Sequence, residues 1–180
     1  MKPIHLIPLG NGRMEPGLDV LEHLAATLAR TFRTPCRIRP EVLDPAFALD
    51  GGRQQYYSTA ILQQLERTCD PDARTLGVTA CDLYVPVLTF VFGEAQLDGT
   101  CAVVSTARLA EEFYGMPKQD SLLRERLVKE AAHELGHTFG LRHCVDWRCV
   151  MASSHAVERL DVKGATFCRE CWSRVSGSGW

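Results

Sequence analysis

Three of the chain's six histidines fall inside one short window, HELGHTFGLRH at residues 133–143. His133 and His137 are four apart, so on an α-helix they project from one face, one turn above the other. Two imidazoles so placed can share a zinc ion. Glu134 points to a neighbouring azimuth, where its carboxylate can hold water on the metal without binding the metal itself. Gly140 breaks the helix, after which the chain can turn and offer His143 as a third nitrogen. Three protein ligands leave a fourth position open, which separates a catalytic zinc site from a closed structural one. H-E-x-x-H alone is a modest hint, whereas the extended H-E-x-x-H-x-x-G-x-x-H is far more specific. The chemistry expected is hydrolysis of a peptide bond, with Glu134 as general base.

A second cluster follows at once. Of eight cysteines, Cys144, Cys149, Cys168 and Cys171 gather near the end of the chain. Their C-x4-C and C-x2-C spacing fits a tetrahedral zinc site of four thiolates, which would bring the count to two ions per chain. A pair of disulfides and a set of free thiols are the competing readings. Cys36, Cys69, Cys81 and Cys101 match no metal spacing and are expected as buried or partly buried free thiols. His23 lies off the apolar face of its helix. His5 alternates with apolar neighbours on a strand. Trp147, Trp172 and Trp180 are explained equally by packing or a partner surface.

These groups need a scaffold, and the hydrophobic pattern describes one. Residues 3–8 are short and apolar and suit a strand. Leu18, Leu21, Ala25, Leu28 and Phe32 advance by threes and fours, the signature of one helical face. Residues 36–42 read as a strand, and Tyr57, Ile61 and Leu65 mark a second helix. Residues 76–85, 87–95 and 101–105 read as strands, with turn chemistry at Leu97, Asp98 and Gly99. A long helix follows Pro117, with Leu123, Leu127, Ala131, Leu135 and Phe139 in a row. It is expected to end at Gly140 in a left-handed cap. Beyond it little regular pattern appears until about Cys168. Alternating helices and strands predict an α/β (α+β) fold, a largely parallel sheet with one antiparallel hairpin near an edge.

A length of 180 residues suits a single catalytic domain. Within residues 1–180 we expect an N-terminal sheet and helix subdomain, 1–140, and a C-terminal subdomain, 141–180. The formal charge of −2 and the lack of a Lys/Arg run give no reason to expect a nucleic-acid partner. No apolar stretch is long enough to span a bilayer, so no membrane partner is expected. The start, MKPIHLIPLGNGR, is a poor signal peptide and reads as a strand, which predicts a cytoplasmic protein; a monomer acting on a peptide or protein substrate is expected. Two rival functions stand beside this one: a zinc-stabilised peptide-binding or interaction module with a vestigial peptidase centre, and hydrolysis of some other small amide. The intact Glu134 favours an enzyme.

HELGHTFGLRH, followed by Cys144, Cys149, Met151 and FCREC, resembles the archaemetzincin branch of the metzincin zinc metallopeptidases. The resemblance implies that Met151 is the methionine of a tight turn beneath the metal. It implies a twisted mixed sheet over two helices, an active-site helix and a small zinc-stabilised C-terminal subdomain. It further implies an antiparallel edge strand within residues 91–95 that binds substrate backbone by strand addition. Asp161 and Lys163 resemble a charged stretch of that family and are read as a salt-bridged loop. The specific motifs cover residues 133–171; earlier residues match only in the order of their elements. Several metzincins carry a tyrosine two residues after the methionine. Here Ser153 stands at that position, so no side-chain oxyanion donor is named.

Overall fold

The computed structural model describes residues 1–12 and 15–177, so Trp180 lies outside the described residues. The first apolar run forms β1 (Ile4–Leu9), buried on both faces as a central strand of a covered sheet must be. The three-and-four spacing folds as α1 (Leu18–Phe32), which buries Leu21, Leu24, Ala25, Leu28 and Phe32. β2 (Cys36–Ile38) lies parallel to β1 and stops short of the expected residue 42. Pro40 has no N–H to give a ladder, and the chain rejoins β1 only through a bridge between Leu43 and Leu9.

A small second sheet, which the periodicity does not foresee, comes next. β3 (Leu49–Asp50) pairs antiparallel with β4 (Gln55–Tyr57) around a turn in which Asp50 Oδ1 accepts the N–H groups of Gly52 and Arg53. α2 (Ser58–Thr68) follows directly. The single strand expected over residues 76–85 is in fact two, β5 (Arg74–Thr79) in the main sheet and β6 (Leu83–Tyr84) parallel to β4 in the small one. Between them the Thr79 hydroxyl accepts the Cys81 N–H, and the Ser105 hydroxyl donates to the Cys81 carbonyl. Side chains there take over backbone bonds, and the strand ends. Of residues 87–95, only β7 (Gly93–Ala95) is strand. It runs antiparallel to β8 (Cys101–Ser105).

The main sheet has the order β2-β1-β5-β8-β7, parallel throughout except for the β7 edge. Its two faces follow the alternation of side chains. Leu76, Val78, Ala102 and Val104 pack with α1 and with α3 (Asp120–Thr138), while Cys101 and Val103 pack with Ile61 and Leu65 of α2. The Asp98 turn is docked as well as tight. Asp98 takes a φ of 57°, and its N–H donates to the His137 carbonyl at 3.0 Å. Arg74 donates from Nη1 to the carbonyls of Gly99 (2.8 Å) and Thr138 (2.7 Å), tying the hairpin to the end of α3.

Gly140 ends α3 as expected, at φ 77°. Its N–H bonds the His137 carbonyl and the Leu141 N–H bonds the Gly136 carbonyl, the paired bonds of a Schellman cap. The tail holds two short helices, α4 (Val157–Val162) and α5 (Arg169–Ser176). α4 escapes the sequence because it buries only Val157 and Leu160, too few positions to show a period. It also corrects one expectation. Asp161 lies on this helix and Lys163 caps it, so the charged stretch is helical and not a loop, although it is indeed salt-bridged. Among the described residues no helix is long and apolar enough to cross a membrane.

Candidate active site

α3 carries His133, Glu134 and His137, and the Schellman cap sends the chain back so that His143 reaches the same place. Ring centroids lie 4.7 Å apart for His133 and His137, 5.3 Å for His133 and His143, and 5.2 Å for His137 and His143. The remaining geometry concerns protons. His133 Nδ1 lies 2.9 Å from the Val150 carbonyl, and His137 Nδ1 lies 2.7 Å from the Leu141 carbonyl. A carbonyl oxygen only accepts, so each Nδ1 carries the proton and each Nε2 presents a bare lone pair. Those two Nε2 atoms face each other at 3.1 Å. Two lone pairs so close repel unless a cation sits between them. Tetrahedral zinc with Zn–N bonds of ~2.0–2.1 Å sets its nitrogens about 3.3–3.4 Å apart, so the residues fit that ion. Burial pushes all three imidazoles below their ordinary value, most strongly at His133. Neutral rings are the form that binds metal.

Next to His133 the chain makes a tight turn over Cys149–Val150–Met151–Ala152, closed by the Ala152 N–H on the Cys149 carbonyl at 2.9 Å. Met151 is fully buried, and its Sδ lies against Gly136, where any Cβ would collide with it. Gly136, between the two helical histidines, thus leaves room for the thioether against the helix. The same turn supplies the Val150 carbonyl that orients His133.

Glu134 is 5% exposed and lines a cleft of about 760 Å³ that also touches all three histidines. Burial, then the neighbouring Glu130, push its carboxyl well above the ordinary range, against the pull of Lys163. One wall of the cleft is residues 88–95 and another is residues 153–155. β7 lies so near that a Cβ on Gly93 would stand 2.7 Å from Glu134 Cγ. The bonds flanking β7 run from Ser105 N–H to the Phe92 carbonyl and from Gln96 N–H to the Cys101 carbonyl. Antiparallel alternation then turns the backbone groups of Gly93 and Ala95 to the open edge. Ser153 lines the cleft, with its hydroxyl 3.4 Å from His155 Nε2.

The four clustered cysteines meet as well. One ligand atom from each of Cys144, Cys149, Cys168 and Cys171 lies within 4.8 Å of the others, and the Sγ atoms of Cys144 and Cys168 are 3.9 Å apart. A tetrahedral zinc with Zn–S bonds of ~2.3 Å has edges of about 3.8 Å, so the cradle fits this ion too. The Cys168 N–H points at Cys149 Sγ at 3.2 Å, the kind of donor that steadies a thiolate. Cys36, Cys69, Cys81 and Cys101 form no disulfide and are buried or half-buried, and His23 is exposed, as expected. Trp147 is exposed, while Trp172 packs beside Phe167 under the Arg33 guanidinium.

One feature near the site goes unseen in the sequence. Arg126, Lys129 and Glu130 of α3 are all buried and latch α4: Arg126 pairs with Asp161 (2.7 Å), Lys129 donates to the Leu160 and Asp161 carbonyls, and Glu130 faces Lys163. Charged residues ordinarily mark a solvated face, so a reading by hydrophobicity assigns these to the surface. The spacing of Glu130 four residues before Glu134 is the signal that could have found it.

Comparison with known proteins agrees with this geometry. The model of peptidase family M54 matches residues 45–176. The archaemetzincin of Methanocaldococcus jannaschii is 40% identical over 161 residues, covering 89% of this chain and 88% of that protein. The crystal structure of the Archaeoglobus fulgidus archaemetzincin, complexed with malonate, superposes with a TM-score of 0.81 at 39% identity, over 96% of this chain and 99% of that one. A zinc-dependent peptidase from Methanocorpusculum labreanum gives a TM-score of 0.85 at 30% identity, again over 96% and 99%. Fold and cleft together define a zinc metallopeptidase. The chain belongs to peptidase family M54, the archaemetzincins.

Proposed function

We propose that His133, His137 and His143 hold the catalytic zinc and that Glu134 is the general base of peptide-bond hydrolysis. The observation that carries this reading is the pair of proton-free Nε2 atoms 3.1 Å apart, beside a third imidazole and an open cleft. Zinc bound there supplies Lewis acidity, polarising a carbonyl and lowering the pKa of water from ~15.7 toward ~7. The chain's own residues do the rest. An extended peptide pairs with the open edge of β7 through Gly93 and Ala95, which brings its scissile carbonyl beside the histidines. Glu134 removes a proton from the attacking water and returns it to the leaving nitrogen. Its burial keeps bulk water from competing, and its raised proton affinity suits a group that must both take and give. Ser153 offers no substitute for the tyrosine of other metzincins, so no side chain is assigned to the oxyanion.

We further propose that Cys144, Cys149, Cys168 and Cys171 hold a second, structural zinc, making two ions per chain. Met151 serves as the apolar floor of the catalytic site. On this reading residues 141–180 form a metal-ordered subdomain of one catalytic domain, and the protein acts as a cytoplasmic monomer on peptides or proteins. Glu134→Gln tests the central assignment. It should keep its zinc and lose hydrolysis by ~10²–10⁴-fold, the usual worth of general acid–base catalysis. Undiminished turnover in a zinc-replete variant would remove Glu134 from this role.

A further inference from the structure

The cleft wall over residues 88–90 belongs to no strand, and burial does not hold it in place. Val87 is 88% exposed and Leu88 52%. Its backbone is tied by the Leu88 N–H on the Val85 carbonyl and by the Val91 N–H on the Leu83 carbonyl. Side chains behind the wall do the rest. Arg53 donates from Nη2 to the carbonyls of Leu88 (2.9 Å) and Thr89 (3.2 Å). Gln55 of β4 donates from Nε2 to the Thr89 carbonyl at 3.0 Å and to Asp82 Oδ2 at 2.9 Å.

Asp82 in turn receives Arg108 in a fork, Nε on Oδ1 at 2.6 Å and Nη2 on Oδ2 at 2.8 Å. The guanidinium so held lies over the rings of Phe90 and Phe113, 4.2 and 4.6 Å from their centroids. A bidentate pair fixes the plane of an arginine as well as its position, and a fixed plane is what an aromatic face can stack on. The two side chains are only 22% and 20% exposed, so salt and water weaken the pair less than one at the surface. Leu88 and Phe90 line the cleft beside the three histidines, whereas Arg108 and Asp82 stand behind them.

We infer that Arg108, gripped by Asp82, is a positioning residue for substrate binding: it fixes Phe90, and so shapes the wall that meets the substrate on one side of the scissile bond. The inference rests on the metallopeptidase reading of the cleft and deepens it. One side only is affected, because Gly93 stands against Glu134, the wall precedes it along the edge, and Leu97 follows it toward the end of α3. A peptide laid along β7 meets Phe90 with residues on one side of the reacting carbonyl and Leu97 with those on the other. The small sheet thus has a task of its own, which is to carry the network that holds this wall.

The test uses zinc-replete protein and two series of leucine-containing peptidyl hydroxamates, one extending from each side of the chelating group. Acetohydroxamate, which reaches the metal alone, serves as the baseline, and affinity is measured by calorimetry. Arg108→Lys keeps the charge but offers Asp82 no fork and Phe90 no plane. It should weaken one series about tenfold, the order expected when an apolar pocket loses its fit. Acetohydroxamate and the other series should bind as before, and Asp82→Asn should reproduce the one-sided loss. Unchanged affinity in both series overturns the inference, and so does an equal loss in all three ligands, which marks general damage. Wild-type protein carries the test even if the variants fold poorly. Its Arg108 Nε–H signal in NMR should shift with one series and not the other, and a signal indifferent to both overturns the inference. If no hydroxamate binds wild-type protein in a zinc-dependent way, the active-site reading beneath it fails instead.

Discussion

His133 and His137 share one helical face through spacing alone, with Glu134 at the neighbouring azimuth, but what makes the two histidines a site is the set of bonds on their far sides. The carbonyls of Val150 and Leu141 fix the tautomer of His133 and His137, and both carbonyls come from the chain after α3. The sequence shows the three rings and not these acceptors, because any backbone carbonyl is invisible in a motif. The titration of the rings follows from their burial. A histidine held low in the fold is neutral at pH 7 and keeps its lone pair for metal. Protonation begins in the unfolded chain at ~6.5, so each ring lowers stability as pH falls through that value toward its own folded one. In chelator-treated protein, NMR signals of His133, His137 and His143 should therefore titrate below 6.5, His133 lowest. Titration at or above 6.5 would contradict the burial argument. Gly136 is the other residue on which the site depends. Gly136→Ala should push Met151 out of place and cost about 1–3 kcal/mol in a urea melt, as overpacking usually does. Unchanged stability would show the contact to be loose.

At the level of elements, the legible parts are those with a period. α1, α3 and the parallel strands β1, β5 and β8 show apolar spacing long enough to read, and Gly140 marks the end of α3 by the conformation it alone tolerates easily. The illegible parts are set by contacts between distant residues. Nothing local says that Ser105 will satisfy Cys81 and divide a strand, or that Arg126, Lys129 and Glu130 will be buried against α4. The hairpin of β7 and β8 shows what such contacts achieve. Arg74 reaches both the Gly99 and Thr138 carbonyls and stacks its guanidinium over Phe139 at 3.6 Å, so the strand that borders the cleft moves with the helix that carries the histidines. Arg74→Met should lower stability by about 2 kcal/mol or more, since it removes two charge-assisted bonds. It should also speed amide exchange at Asp98, whose N–H bonds His137. Exchange as slow as in the parent would show that the turn does not need the arginine.

Across the whole molecule, the tail is joined to the sheet-and-helix body by apolar packing and by sulfur. The body buries an apolar core around β1, β5 and β8, and residues 141–177 add Leu141, Val150, Met151, Val157, Leu160 and Val175 to the same cluster. Four sulfurs converge against that core, and a structural zinc contributes on the order of 10 kcal/mol to the folding of small units. Cys168→Ser should then lower the zinc content from two per chain to one and loosen the turn around Met151, weakening the catalytic metal as well. Retention of two zinc ions would remove Cys168 from the ligand set.

Anomalous diffraction at the zinc edge, from crystals of the zinc-replete protein, tests the three-histidine centre most directly. The predicted result is a peak about 2.0–2.1 Å from one nitrogen each of His133, His137 and His143, open to the cleft on its fourth side. A peak that leaves out His143, or one closed by a fourth protein ligand, would contradict it.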